Sequence, residues 1–134
     1  MSSAPTVAYI DSSALVKLAI PESETDALRA ELARWERHVS SALAKVEVPR
    51  ACARVDTEAS RVAEQIVGAL DLVAIDDPVL EEAALLSPIE LRSLDAIHLA
   101  SALLFGPALG VAITYDERLA VAMRAAGIPT ATPR

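Results

Sequence analysis

Residues Thr6–Leu18 read TVAYIDSSALVKL, and the way this stretch divides in two decides the fold. Val7, Ala8, Tyr9 and Ile10 make a short apolar run of strand length that stops at Asp11, and Ser12 and Ser13 then open a run that can be helical. An apolar strand that ends at an acid and turns into a helix is how an open α/β protein presents a carboxylate at the carboxyl end of a buried parallel strand. That is where such sheets bind their ligands. The rest of the chain is expected to cover this strand or to bring further acids to its tip.

Outward from that strand the pattern alternates. Ser13 to Ala19 reads as a short helix stopped by Pro21. Glu22 to Arg37 reads as a second, with Glu22, Glu24 and Asp26 complementing its dipole and Leu28, Leu32 and Trp35 on one stripe. Trp35 is therefore expected to pack, although an indole can also stack on a base. His38 to Ser41 suggests a short second strand with His38 at its exposed start. Ala42 to Val55 follows as a helix, with Pro49 expected to kink or restart it. Thr57 to Ala69 is a helix capped by Asp56 or Thr57, and Leu70 to Ile75 is a third strand. Asp76, Asp77 and Pro78 mark a helix start, with capping a better use for the two acids than metal binding. The run LRSLDAIHLASALL is helical, Val111 to Ile113 is a strand, and Glu117 to Ala126 is a helix stopped by Gly127. Thr130 to Thr132 adds an edge strand. The alternation predicts an α/β fold in 134 residues, a length that suits one domain spanning 1–134.

Four acids stand out. Asp11 and Asp116 each follow an apolar strand at a strand-to-helix turn, and parallel strands put such turns on the same side of a sheet. Glu47 shares a helical face with Leu43, Val46 and Ala51, where a carboxylate is expensive unless paired, hydrogen-bonded or bound to metal. An ion pair with Arg50, three residues on, is the simplest alternative, and Arg50 is otherwise a candidate phosphate contact. Asp95 lies in the first turn of its helix, where it can complement the dipole. His98, near the same face, reads as a hydrogen-bonded core histidine before it reads as a ligand. Asp116 can serve as an N-cap, and Thr114 with Glu117 fits a capping box. Carboxylates gathered at one point repel one another, and a hard divalent cation with oxygen ligands, Mg²⁺ or Mn²⁺, resolves the conflict. Such a site suits attack of an activated water on a phosphodiester.

Composition bounds the alternatives. With 53% apolar residues and a mean hydropathy of +0.36, disorder is excluded. No apolar run reaches the roughly 18 residues of a membrane helix, so a soluble, cytoplasmic chain without membrane partners is expected. The single Cys52 agrees with a reducing compartment and reads as a small buried residue. A net charge of −7 runs against a nucleic-acid partner, yet Arg29–Arg61 carries seven bases against five acids. Glu64–Asp95 carries eight acids against Arg92 alone. A receiver-like phosphoacceptor domain would place an acid pair at the first strand end and a lysine after the last core strand. This chain has Asp11 alone there and no lysine after Lys45. A non-catalytic binding module has no need to gather repelling acids.

The order of Asp11-x-Ser13, Glu47 on the third helix, the LDAIHLA run around Asp95, and Thr114-x-Asp116 followed by Leu119 resembles the PIN-domain family, and within it the VapC-like toxin ribonucleases. The likeness covers Thr6 to Pro133. It implies a three-layer α/β/α sandwich around a central, mostly parallel sheet of four or five strands. It implies Asp11, Glu47, Asp95 and Asp116 around Mg²⁺ or Mn²⁺, with Ser13 and Thr114 as supporting hydroxyls. It further implies endonucleolytic cleavage of RNA, a homodimer, and neutralisation by a cognate antitoxin. Within that scheme Asp11 and Asp95 are the expected direct metal ligands, Asp116 binds directly or through water, and Glu47 orients the attacking water or holds a second ion.

Overall fold

The computed structural model describes residues 4–134. Its centre is a five-stranded, all-parallel sheet in the order β3-β2-β1-β4-β5. The strands are β1 (Val7–Ile10), β2 (Arg37–Ser41), β3 (Asp71–Val73), β4 (Leu109–Ile113) and β5 (Thr130–Ala131). Strand β1 is buried throughout, as its unbroken apolar run requires of a central parallel strand. Its side chains alternate between two apolar layers. Ala8 and Ile10 join α1 (Ser12–Ala19), α2 (Thr25–Leu32), α3 (Ala44–Ala53) and α4 (Thr57–Gly68) on one face. Val7 and Tyr9 meet α6 (Ser93–Leu103) and α7 (Glu117–Ala125) on the other, with α5 (Asp77–Leu85) packed against α6. The expected sandwich is therefore present. Cys52 is fully buried in the first layer, and burial raises its thiol pKa, in keeping with a packing role. Among the described residues no helix is long and apolar enough to cross a membrane.

Several boundaries differ from the sequence expectation. Helix α2 covers Thr25–Leu32 rather than Glu22 to Arg37. The N–H groups of Glu36 and Arg37 both reach the Thr6 carbonyl at 3.1 Å, so sheet pairing takes residues whose periodicity still reads as helix. Trp35 lies beyond the helix end but packs on the first layer all the same, its Nε1–H donating to Glu31 at 2.9 Å. Helix α3 runs through Pro49 without restarting. The carbonyl that loses its donor belongs to exposed Lys45, where water can satisfy it. The third strand shrinks to Asp71–Val73, and Asp76 caps α5 as expected by accepting from Val79 N–H at 3.1 Å, with Asp77 in the first turn.

Strand β4 starts two residues before the predicted Val111 and includes Gly110. Val7 pairs with Leu109 but Ala8 with Val111, so Gly110 is the extra residue of a bulge. A Cβ built there would stand 2.0 Å from Trp35 Cζ3, so only glycine lets the indole close over the strand.

Candidate active site

The sheet order fixes where a site can form. From β1 the chain moves to β2 and β3 on one side, then crosses to β4 on the other, so the carboxyl ends of β1 and β4 flank a topological switch point. Asp11 leaves β1 there and caps α1, accepting from Ala14 N–H at 3.0 Å. Thr114 and Asp116 leave β4 on the opposite side, and the Asp11 N–H donates to the Ile113 carbonyl at 3.1 Å, tying the two strand ends together.

Asp11 is buried and heavily bonded. The Ser13 hydroxyl donates to Oδ1 and Oδ2 at 2.7 and 2.9 Å, and the Thr114 hydroxyl donates to Oδ2 at 2.5 Å. Burial nevertheless dominates, raising the Asp11 pKa despite the donors from Thr114, Ser13 and Ala14. Ser13 Oγ also accepts the Tyr115 N–H at 2.9 Å, and Thr114 Oγ1 accepts the Asp116 N–H at 3.0 Å. Both hydroxyls are thereby fixed as supports for Asp11. Thr114 makes no capping box: Asp116 is itself the N-cap of α7, accepting from the N–H groups of Arg118 and Leu119 at 2.9 and 3.3 Å.

Asp95 lies in the first turn of α6, half-buried. Its pKa is raised by burial first and next by the charge of Asp116, with Glu47 adding to the effect, while His98 and Arg92 oppose it. Asp95 thus feels the charges of two acids that come from two other helices.

Glu47 does not form the alternative ion pair with Arg50. Its Oε1 accepts from Ser12 Oγ at 2.7 Å and from His98 Nε2 at 2.8 Å. Burial works to raise the Glu47 pKa, but these bonds and the nearby imidazole together outweigh it and hold the carboxyl below its ordinary value. Arg50 is exposed, makes no ion pair among the described residues, and lines a shallow depression with Ala53 and Arg54. His98 is the hydrogen-bonded core histidine of the sequence reading, with Tyr9 Oη 2.7 Å from its Nδ1. Ser12 and Tyr9 escaped that reading. Ser12 stood hidden between Asp11 and Ser13, and Tyr9 counted only as a strand residue, although a buried phenol always needs a partner.

Oxygen donors from carboxylates suit Mg²⁺ or Mn²⁺, and the charge strain on Asp95 is of the kind a cation relieves. Among the described residues no three Asp, Glu, His or Cys side chains stand close enough, as placed, to chelate an ion. The oxygens without hydrogen-bond partners among those residues are both of Asp95, Oδ2 of Asp116 and Oε2 of Glu47. The donor chemistry fits. Beside Asp95 a groove of about 500 Å³ runs between Pro88, Glu90, Leu91 and Arg92 on one wall and Glu117, Arg118 and Val121 on the other.

A parallel sheet of this order, with acids at the switch point between β1 and β4, defines an α/β domain of the PIN type, and the chain belongs to the PIN-domain family, whose model matches residues 8–124. Among characterised relatives it is similar to ribonuclease VapC46 of Mycobacterium tuberculosis, with 46% identity over 125 residues that cover 93% of this chain and 96% of that protein. It is also similar to ribonuclease VapC47 of the same species, at 40% identity over 133 residues. A toxin–antitoxin complex from Klebsiella pneumoniae contains a chain of the same fold, with a TM-score of 0.70 at 24% identity, covering 95% of this chain and 98% of that one.

Proposed function

We propose that the protein is a metal-dependent endoribonuclease of the toxin class, hydrolysing RNA phosphodiesters and neutralised by a cognate antitoxin. One observation supports this most directly: Asp95 on α6 has its carboxyl pushed up by burial and by the charges of Asp116 on α7 and Glu47 on α3. The Asp95 carboxyl therefore feels acids drawn from two other helices, which supports a shared acidic site. The relatives' printed ribonuclease names support the same reaction class.

When bound, Mg²⁺ or Mn²⁺ would neutralise these acids, activate a water and steady the charge that grows on phosphorus. Asp11, Asp95 and Asp116 would hold the ion, and Ser13 and Thr114 keep Asp11 aimed through their hydroxyls. Glu47 would orient the attacking water or hold a second ion, with Oε2 open for either task. Arg92 and Arg118 in the groove, and exposed Arg50 one turn beyond Glu47, offer cations to the phosphates on either side of the scissile bond. This local basic frame is what a chain of net charge −7 needs in order to dock RNA. The reading includes a homodimer, and Leu80, Leu85 and Leu94 on α5 and α6 are exposed apolar side chains.

The test is RNA cleavage with Mn²⁺ by the wild type and by Asp11→Asn, both checked for folding by circular dichroism. Cutting by the wild type that falls to background in the variant is expected. Undiminished cutting by the variant, or no cutting by the wild type with either ion, overturns the proposal.

A further inference from the structure

We propose that Tyr9 and His98 form a positioning relay that fixes the Glu47 carboxylate, with His98 acting as a one-way donor and not as a metal ligand. Its catalytic meaning rests on the ribonuclease reading above, but its hydrogen-bond pattern stands by itself.

The direction of the relay follows from what each group can do. A carboxylate only accepts, so the contact of 2.8 Å between Glu47 Oε1 and His98 Nε2 requires the hydrogen on Nε2. In the neutral ring Nδ1 is then bare and needs a donor. Tyr9 Oη, 2.7 Å away, supplies it. A phenol is protonated at neutral pH, so the buried Tyr9 hydroxyl has a hydrogen to give. The two rings meet edge-on, with centroids 6.0 Å apart and planes at 82°, which suits a hydroxyl reaching an in-plane ring nitrogen.

Both ring nitrogens are therefore committed, and no lone pair is left for an ion. The position of the relay gives it a task. Glu47 stands on α3 in one helical layer and His98 on α6 in the other, while Tyr9 belongs to the strand between them. Tyr9 is fully buried and His98 is 3% exposed, so neither ring has room to turn. With Nδ1 taken by the phenol, the ring still has a buried Nε2–H to place, and Glu47 Oε1 accepts it. The donor on Nε2 and the Ser12 hydroxyl both converge on Oε1, which leaves Oε2 as the free, oriented oxygen. Partners that orient a reacting carboxylate in this way typically matter by roughly 10- to 100-fold in activity.

Two measurements on the full chain test the relay. Long-range ¹H–¹⁵N NMR of the metal-free protein at neutral pH reads the tautomer directly, with His38 the only other imidazole. The Nε2–H form is expected for His98 in the wild type, relaxing to a mixture in Tyr9→Phe; an Nδ1–H ring in the wild type overturns the proposal. In RNA cleavage, His98→Leu should lower kcat by roughly 10- to 100-fold with KM within about twofold. His98→Gln, whose amide N–H can stand in for Nε2–H, should recover most of that loss. An unchanged kcat in a folded His98→Leu, or a loss that glutamine does not recover, rejects a positioning role. Should His98→Leu fail to fold, the near-isosteric Tyr9→Phe decides instead, with a fall in kcat at constant KM expected and an unchanged kcat overturning the relay. If the wild type cuts no RNA, the ribonuclease reading falls while the tautomer spectrum still judges the relay.

Discussion

Gly110 owes its place to Trp35. The indole lies over the β4 bulge with its Nε1–H held by Glu31, and a methyl group at Gly110 would meet Cζ3 at 2.0 Å. Forcing extra carbon into a packed layer typically costs about 1–3 kcal/mol. Gly110→Ala should therefore lower stability by at least about 2 kcal/mol in denaturant unfolding, and adding Trp35→Leu should recover part of that loss by opening the space. Additive effects of the two changes would mean that the clash is not the cause. Trp35 was legible as a packing residue from its register with Leu28 and Leu32. The demand for glycine opposite it was not, because it arises between residues 75 positions apart in the chain.

Among the elements, α7 carries a double duty at its N-cap. Asp116 caps the helix through Oδ1 and adds charge to the acidic pocket, where it raises the Asp95 carboxyl. Substitution separates the two roles. Asp116→Asn keeps an acceptor at the cap and should leave stability within a few tenths of a kcal/mol, whereas Asp116→Ala should lose about 1 kcal/mol of cap energy. Both should abolish RNA cleavage, because both remove the carboxylate. A fully active Asp116→Asn would reduce Asp116 to a cap. The sequence offered two capping schemes at this turn, and the structure chose between them by sending the Thr114 hydroxyl to Asp11. Helix α2 shows the opposite limit: its apolar stripe continues past Leu32, but backbone pairing to Thr6 ends the helix there.

Across the whole molecule, the acid pocket stores repulsion that a cation can release. Mg²⁺ or Mn²⁺ should raise the melting temperature of the wild type, by an amount equivalent to about 2.7 kcal/mol when the ion is at 100 times its Kd. Asp95→Asn combined with Asp116→Asn should remove the cation's effect while leaving the metal-free protein at least as stable, since like charges have been taken from a shared site. Equal stabilisation of wild type and double variant by the ion would place the binding elsewhere. Calorimetry with and without a chelator makes the comparison.

The alternation of strand and helix, the burial of β1 and the placing of Asp11 and Asp116 just after β1 and β4 were legible in the chain, because period-two and helical patterns and strand-end positions are local properties. So was the PIN-type order of motifs. The pairing of Glu47 with His98 and Ser12 instead of Arg50, the Tyr9 bond beneath it and the bulge at Gly110 required coordinates. Each joins residues at least 35 positions apart in the chain. Periodicity says which face of an element is buried, and only the folded chain says what that face touches.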